Sequence, residues 1–167
     1  TRMIDQVLRP MTPELRDGII QGGYWMRPPA EGASLAVVFS GIVAPEAATA
    51  MGELLRHFPG AGLLAVTSAD RLNAGWKAAQ TAQQHGGDDR SHVEQLLAPL
   101  ARDAQLVTVL DGHPTTLSWM GGVHGHRVRA LGVEHFGQTG TLHDLYREYR
   151  IDAAAIVEAA LARGPRK

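Results

Sequence analysis

The stretch SLAVVFSG, residues 34 to 41, decides how the rest of the sequence is interpreted. An unbroken apolar run closed by serine and glycine is typical of a short strand that is buried on both faces of a sheet. Pro45 then opens a helical pattern, and one face of that helix carries the apolar residues Ala47, Met51, Leu54, Leu55 and Phe58. A buried strand followed directly by an amphipathic helix is the repeating unit of an α/β fold.

The same unit recurs along the chain. Buried strands are predicted for GLLAVTS (62–68) and QLVTVLDG (105–112), and RVRALGV (127–133), whose arginines alternate with apolar residues, predicts a strand near the sheet edge. Helices are predicted from Ala69 to Gln84, after the capping box Ser91–Glu94, from Pro114 in PTTLSWMGG, after the capping box Thr141–Asp144, and after Asp152 with apolar Ile156, Val157, Ala160 and Leu161. We therefore predict a mostly parallel sheet covered by helices on both faces.

Residues 1–33 differ from this pattern. Their short apolar groups are interrupted by residues that break helices and strands: Pro10, Pro13, Gly22, Gly23, Pro28 and Pro29. We interpret residues 1–33 as an arm from a preceding domain and residues 34–167 as the α/β domain. Because the arm is too apolar for a disordered linker, we expect it to lie on a protein surface, either this domain's or a neighbour's, and to expose Ile19, Tyr24 or Trp25 unless the chain self-associates.

Composition narrows the class of function. With 167 residues, 44% of them hydrophobic, the chain is long enough for one domain with a core. Its net charge of −1, spread evenly, argues against nucleic acid or a membrane surface as partner. No apolar run reaches the roughly 20 residues of a membrane span and no signal peptide is recognisable, so we expect a cytoplasmic protein. The absence of cysteine excludes disulfides and thiolate chemistry.

Polar residues follow three of the predicted strands. Ser40 precedes Gly41, Thr67 precedes Ser68, and Asp111 and His113 flank Gly112. In a parallel sheet these strand ends meet at one edge, where backbone amides and helix N-termini bind small polar ligands or anions. The simpler interpretation is that these residues only end strands and cap helices. Both interpretations stay open at the level of the sequence.

The histidines suggest a second kind of site. His113, His124 and His126 could contribute to a zinc site, and His113 beside Asp111 could act as a general base. No HExxH motif, GxSxG nucleophile elbow, GxGxxG fingerprint or P-loop accompanies them, and Ser118 lacks the glycine that an elbow requires. A hydrolase or metalloenzyme therefore has little support.

The segment FGQTGTLHDLYREYRID (136–152), followed by AAAIVEAAL, resembles the closing motif of the C-terminal domain of transketolase-like thiamine diphosphate enzymes. Three further stretches occur in the family's order: LRDGIIQGGYWMR (15–27), LLAVTSADRLNAGW (63–76) and TVLDGHPTTLSWM (108–120). The resemblance spans nearly the whole chain and is closest to the first, decarboxylating component of homodimeric pyruvate dehydrogenase complexes. The stretch between Asp111 and Gly137 is more similar to a divergent branch.

The resemblance implies a three-layer sandwich with a five-stranded mixed sheet, four strands parallel and one antiparallel. It also implies a structural and dimerisation role in an enzyme that decarboxylates a 2-oxo acid, such as pyruvate, and transfers the acyl group to lipoamide. The implied partners are the upstream domains of the same polypeptide, a second subunit of a homodimer, and the lipoyl acyltransferase of a dehydrogenase complex. A transketolase-type enzyme is the alternative within the same fold.

The family's cofactors are thiamine diphosphate and magnesium. They are held by a GDG motif with later asparagines, and a glutamate of the middle domain activates the thiazolium. Asp111-Gly112 lacks both the preceding glycine and the asparagines, so we assign no catalytic, cofactor-binding or metal-binding residue and predict that the isolated domain is inactive. Phe136, Gly137 and Gln138 are then expected to form a joint against the rest of the assembly.

One alternative lies outside that family. A stand-alone ligand-binding or regulatory module would use the strand-end residues Ser40, Thr67, Asp111 and His113.

Overall fold

Five strands form one mixed sheet in the computed structural model, which describes residues 10–135 and 137–162. The strands are β1 (Gly23–Arg27), β2 (Ala33–Ser40), β3 (Gly62–Val66), β4 (Leu100–Leu110) and β5 (Arg127–Leu131). Their order in the sheet is β1-β3-β2-β4-β5. Strands β2 to β5 run parallel and β1 is antiparallel to β3, which confirms the mixed sheet with four parallel strands and one antiparallel strand.

Helices cover both faces of this sheet. In the described residues they are α1 (Pro13–Gln21), α2 (Ala44–Leu54), α3 (Ala69–Gln84), α4 (His92–Leu97), α5 (Thr115–Ser118), α6 (Gly121–His124), α7 (Leu142–Glu148) and α8 (Ala153–Leu161), with a 3-10 turn at Gly41–Val43. The predicted three-layer α/β sandwich is confirmed, because these helices lie on both faces of the sheet.

None of these helices has the length and apolar character needed to cross a membrane.

Strand β2 contributes to two separate cores. Leu35, Val37 and Phe39 point to one face, where they pack with α2, α7 and α8, while Ala36 and Val38 point to the other, where they pack with α3 and α4. None of these five side chains is more than 5% exposed. Burying a valine or leucine stabilises a fold by about 1.5–3 kcal/mol, so this one strand links two substantial apolar layers.

Helix caps lie where the sequence predicted them. Ser91 and Glu94 form the capping box of α4, with Ser91 N donating to Glu94 Oε2 at 2.7 Å. Thr141 caps α7 by accepting from Asp144 N, and Asp152 caps α8 by accepting from Ala155 N at 3.0 Å. These bonds satisfy amide groups that a helix start leaves unpaired.

Some predicted boundaries were wrong. Strand β4 begins at Leu100 rather than at Gln105. The pairing of β2 with β4 is irregular between Ala33 and Leu35, and the polar residues Arg102 and Asp103 of β4 lie in this irregular stretch and are exposed. Leu161 is 42% exposed, so the apolar stripe of α8 ends before it. Leu55 and Phe58 lie beyond the end of α2 and are half-buried.

The segment PTTLSWMGG forms two short helices instead of one. Helices α5 and α6 are separated by Trp119–Met120. At the start of α6, Gly121 lies so close to Val128 and the His126 backbone that a Cβ atom would overlap them. The chain therefore turns between the helices to bring this glycine against β5.

The arm contributes structure to this domain over its described part. Thr12 caps α1 by accepting from Leu15 N at 3.2 Å, and Pro13 occupies the first turn, where a proline is tolerated. Gly22, at φ +107°, then turns the chain into β1. The three residues that were expected to be exposed, Ile19, Tyr24 and Trp25, are half-buried. The neighbouring Ile20 is the exposed apolar residue instead, at 48%.

One glycine allows the arm to lie on the sheet. A Cβ atom at Gly62 would come within 2.6 Å of Trp25 Cζ3 and 3.0 Å of Pro29 Cβ. The Trp25 ring also donates from Nε1 to Leu96 O at 3.0 Å, so it is held between β3 and α4. The arm can thus lie here only because residue 62 is a glycine and has no side chain.

We expect Gly62→Ala to destabilise the domain by about 1–3 kcal/mol, because the added methyl group overpacks the Trp25 ring. Chemical denaturation monitored by tryptophan fluorescence would measure this change. The matched control is Gly52→Ala in α2, where an added Cβ meets no atom within 4 Å and should be neutral or stabilising by up to about 1 kcal/mol. Equal effects of the two variants would contradict the proposed role of Gly62.

Candidate functional site

The strand-end residues come together along one edge of the sheet. Because β2, β3 and β4 are parallel, their carboxyl ends at Ser40, Val66 and Leu110 lie on the same side. Ser40, Thr67, Asp111 and His113 therefore line this carboxyl edge. The switch point of the sheet lies between β2 and β4, where open α/β sheets form a crevice.

The hydroxyl groups at this edge have partners within the protein. Ser40 Oγ donates to Val66 O at 3.0 Å, and Thr67 Oγ1 donates to Ile19 O at 2.8 Å. The first bond ties β2 to β3, and the second ties the carboxyl edge to α1. Both hydroxyls thus have a structural function that accounts for them without a ligand.

Asp111 and His113 lie in the turn after β4, and both are exposed. The Nδ1 atom of His113 is 2.7 Å from Thr115 Oγ1 at the start of α5. Ser118 Oγ donates to Thr115 O, not to a histidine. Ser118 is therefore not paired with a base, and the hydroxyl that His113 contacts is that of Thr115.

An apolar groove opens beside this edge on the α2 and α7 side. Its volume is about 860 Å³, and its walls come from the start of α2 and from α7: Ile42, Glu46, Gly140, Thr141, Leu142, His143, Leu145 and Tyr146. Ile42, Leu142 and Leu145 are half-buried, and Tyr146 is buried. Such a lining suits the side chains of a protein segment better than a small polar ligand.

A carboxylate in the groove wall links α2 to α8. Glu46 Oε2 in the first turn of α2 accepts from Ala153 N, the first residue of α8, at 3.0 Å. The negative charge also lies at the positive end of both helix dipoles, which stabilises it. This bond fixes the position of α8 relative to α2 across a sequence separation of 107 residues.

The predicted joint leads into the same groove. Phe136 lies outside the described residues. Gly137, at φ +116°, and Gln138 are exposed, and the exposed segment continues to Gly140 in the groove wall. At the following cap, the hydrogen bond from the Thr141 hydroxyl lowers the pKa of Asp144, and Arg147 adds to the effect. The described part of the predicted joint, Gly137 and Gln138, is therefore followed directly in the chain by the groove wall at Gly140.

The three histidines do not form one site. His113 follows the carboxyl end of β4, whereas His124 and His126 precede β5, which begins opposite Gln105 in the first half of β4. Within residues 10–135 and 137–162 no three metal-ligand side chains are grouped so that they could hold an ion. The hypothesis of a metal site shared by His113, His124 and His126 is therefore wrong for the described residues.

The structure reveals instead a buried histidine that the sequence did not single out for burial. His126 is 6% exposed, and neither ring nitrogen has a hydrogen-bond partner of good geometry among the described residues. Its ring lies at right angles to that of His124, with the ring centres 5.9 Å apart. Burial, with a smaller contribution from the charge of His124, lowers the pKa of His126, and a contact with the Arg102 backbone only partly opposes this.

The turn after β4 does not form a ready site for thiamine diphosphate and magnesium. The turn that carries Asp111 is closed by the protein's own backbone, since Gly112 O accepts from Val133 N at 2.8 Å. Gly132 lies so close to Gly112 O that no side chain could be placed there. A diphosphate bridged by magnesium needs several oxygen ligands, and in this turn the only exposed carboxylate is that of Asp111.

Replacing Glu46 tests the link between α2 and α8. We expect Glu46→Ala to cost about 1–2 kcal/mol of stability, because it removes the acceptor for a helix-terminal amide. Glu46→Gln keeps an acceptor and loses only the charge, so its cost should be smaller. Glu53→Ala, farther along α2 at an exposed ion pair, is the control. Denaturation curves showing the same small loss for all three variants would exclude the link.

The buried His126 predicts a pH dependence of stability. Because its folded pKa lies below the ordinary 6.5, the unfolded chain binds this proton more readily than the folded domain. The contribution of this group is therefore constant above pH 6.5 and becomes destabilising as the pH falls below it. We expect His126→Phe to flatten the fall in melting temperature between pH 7 and about pH 5. His57→Phe, at an exposed position, should leave the fall unchanged.

Comparisons with known proteins identify the fold. No protein-family model and no curated protein sequence matches the chain. Among solved structures, a transketolase from Campylobacter jejuni superposes with a TM-score of 0.62 and 18% identity over 86% of this chain, and one from Leishmania mexicana with 0.62 and 16% over 86%. The chain spans only 19% and 18% of those two proteins.

A third solved structure, described as a split-gene transketolase in an inactive β4 tetramer, matches with a TM-score of 0.57 and 17% identity. That match covers 84% of this chain and 41% of the other. Identities at this level establish architecture and nothing finer. The chain has the fold of the transketolase C-terminal domain.

Proposed function

We propose that this chain is the C-terminal assembly domain of a larger thiamine diphosphate-dependent enzyme. The observation that carries the proposal is the match of 86% of the chain to about a fifth of two transketolases. The chain's own residues do not fit the cofactor. Its function in such an enzyme is therefore to position other domains, and the isolated domain is inactive.

The groove and the joint supply the contact surface for this function. The apolar lining formed by Ile42, Leu142 and Leu145 would receive side chains of the upstream domains or of the second subunit in a homodimer. Gly137 and Gln138 would form the connection to the rest of the assembly. The lipoyl acyltransferase is a further proposed partner, and we place the enzyme in the cytoplasm.

Two reactions are compatible with this domain. The four ordered sequence stretches favour a dehydrogenase that decarboxylates a 2-oxo acid such as pyruvate and transfers the acyl group to lipoamide. The similarity to transketolase structures favours a transketolase-type enzyme at least as strongly. A stand-alone ligand-binding module has less support, because Ser40 and Thr67 already bond to backbone carbonyls.

The test is to isolate the natural polypeptide that contains this sequence, using an antibody raised against the chain. We expect a mass several times 17.9 kDa and bound thiamine diphosphate. Decarboxylation of 2-oxo acids with an artificial electron acceptor would identify a dehydrogenase, and transfer between sugar phosphates would identify a transketolase. Calorimetry of the isolated chain with thiamine diphosphate and magnesium should show no binding. A natural polypeptide of this size without the cofactor would refute the proposal.

A further inference from the structure

The outer edge of β5 is the most open part of the described sheet. Arg127, Arg129 and Ala130 are exposed, and Val128 and Leu131 are only half-buried, whereas every residue of β3 is buried. No strand in the described part of the chain pairs with β5 on the side away from β4. Backbone N–H and C=O groups on that side can therefore pair with another extended segment.

A small cavity lies directly beside this edge. It has a volume of about 300 Å³ and lies between β5 and α8, where alanines leave room: Arg129, Ala130, Leu131, Arg150, Ala155, Glu158, Ala159 and Ala162. Leu131, Ala155 and Ala159 give it an apolar floor. When a strand is added to a sheet edge, every second side chain enters such a slot and provides specificity.

The edge carries an uncompensated positive charge. By strand alternation Arg127 and Arg129 point to the same face as Leu131, which packs in the core with α8. Arg150 is paired with Glu158 at 2.6 Å, so Glu158 is already engaged. Among the described residues, neither Arg127 nor Arg129 forms an ion pair, and the Arg127 guanidinium contacts only the Asp103 carbonyl, at 3.4 Å.

This charge pattern disfavours pairing with a second copy of the same strand. In an antiparallel pair centred on Arg129, the two Arg129 side chains would lie directly opposite each other. Like charges in that position destabilise a strand pair. Carboxylates on the incoming strand would instead lie opposite the two arginines.

We propose that the β5 edge is a docking site for an extended, acidic polypeptide segment, which adds a sixth strand next to β5 and places an apolar side chain in the slot between β5 and α8. Its acidic side chains pair with Arg127 and Arg129. This inference does not depend on the proposed function, because it uses only the edge, the slot and the charges of this chain.

A fluorescence anisotropy titration with the complete chain tests the proposal. The probe is a short fluorescein-labelled peptide, Val-Thr-Glu-Thr-Glu-Thr-Val, which as a strand presents two glutamates and two valines on one face and threonines on the other. The control peptide has lysine in place of both glutamates. We expect the glutamate peptide to bind and the lysine peptide to bind much more weakly. Hydrogen exchange should slow at residues 127–131 when the glutamate peptide is added. Equal binding of both peptides, or protection only elsewhere, would overturn the proposal.

Charge reversal at the edge provides the decisive variant. Arg129→Glu alters an exposed side chain and should fold normally. We expect it to weaken binding of the glutamate peptide at least about fivefold and to strengthen binding of the lysine peptide. Arg16→Glu makes the same charge change on α1, which packs on β1 at the other side of the sheet, and should alter neither affinity. Unchanged binding by Arg129→Glu would refute the site.

The slot can be tested independently of charge. Ala162→Trp at its exposed rim should fill the space and weaken binding of the glutamate peptide, while the oligomeric state and melting temperature stay the same. If Ala162→Trp binds the glutamate peptide with the affinity of the original chain, the slot does not receive a side chain. Concentration-dependent dimerisation that Arg129→Glu abolishes would identify a second copy as the occupant and would also overturn the proposal.

Discussion

Strand β2 pairs with β3 along one side and with β4 along the other, and it buries apolar side chains on both faces. A strand in this position must satisfy all its backbone groups within the sheet, because no water reaches it. The positions of the other strands and of the helices follow from that of β2. The strands on either side fix the crevice at the carboxyl edge, and the two apolar faces require helices α2, α7 and α8 on one side and α3 to α6 on the other.

Polar side chains at the carboxyl edge form hydrogen bonds that hold strands and helices together. Ser40 and Thr67 bond to backbone carbonyls of β3 and α1, and Glu46 accepts from the first amide of α8. A catalytic edge would instead leave such groups free to meet a substrate. Ser40, Thr67 and Glu46 therefore serve the fold, while Asp111, His113 and the apolar groove remain accessible at this edge.

Local sequence signals were sufficient for the elements that they determine directly. Helix α3 matches the prediction at both ends, because Ser68 caps its start and the pair Gly86–Gly87 follows its end. Helix α4 begins where the Ser91–Glu94 box predicts. Strand β1 was not predicted, because its pairing partner β3 is distant in sequence and because Pro13 and Gly22 suggest a linker. In the structure Pro13 starts a helix and Gly22 ends one.

The candidate site was predicted less completely, for a related reason. Parallel topology alone gathers Ser40, Thr67, Asp111 and His113 at one edge, so the sequence could anticipate their proximity. It could not anticipate that the hydroxyls are already bonded, that Glu46 reaches Ala153, or that His126 is buried. Each of these facts depends on contacts between residues far apart in the chain, which no local pattern records.

The Glu46–Ala153 bond has a consequence for how the protein is made. The face of the sheet under α3 to α6 is complete once the chain has been synthesised through β5, and it can then be covered. The opposite face stays open until α8 emerges from the ribosome, because Ile156, Val157 and Ala160 supply its last layer. Until then Leu35, Val37 and Phe39 are covered by α2 but not by α7 and α8, so a half-folded nascent chain presents apolar surface of the kind that chaperones bind.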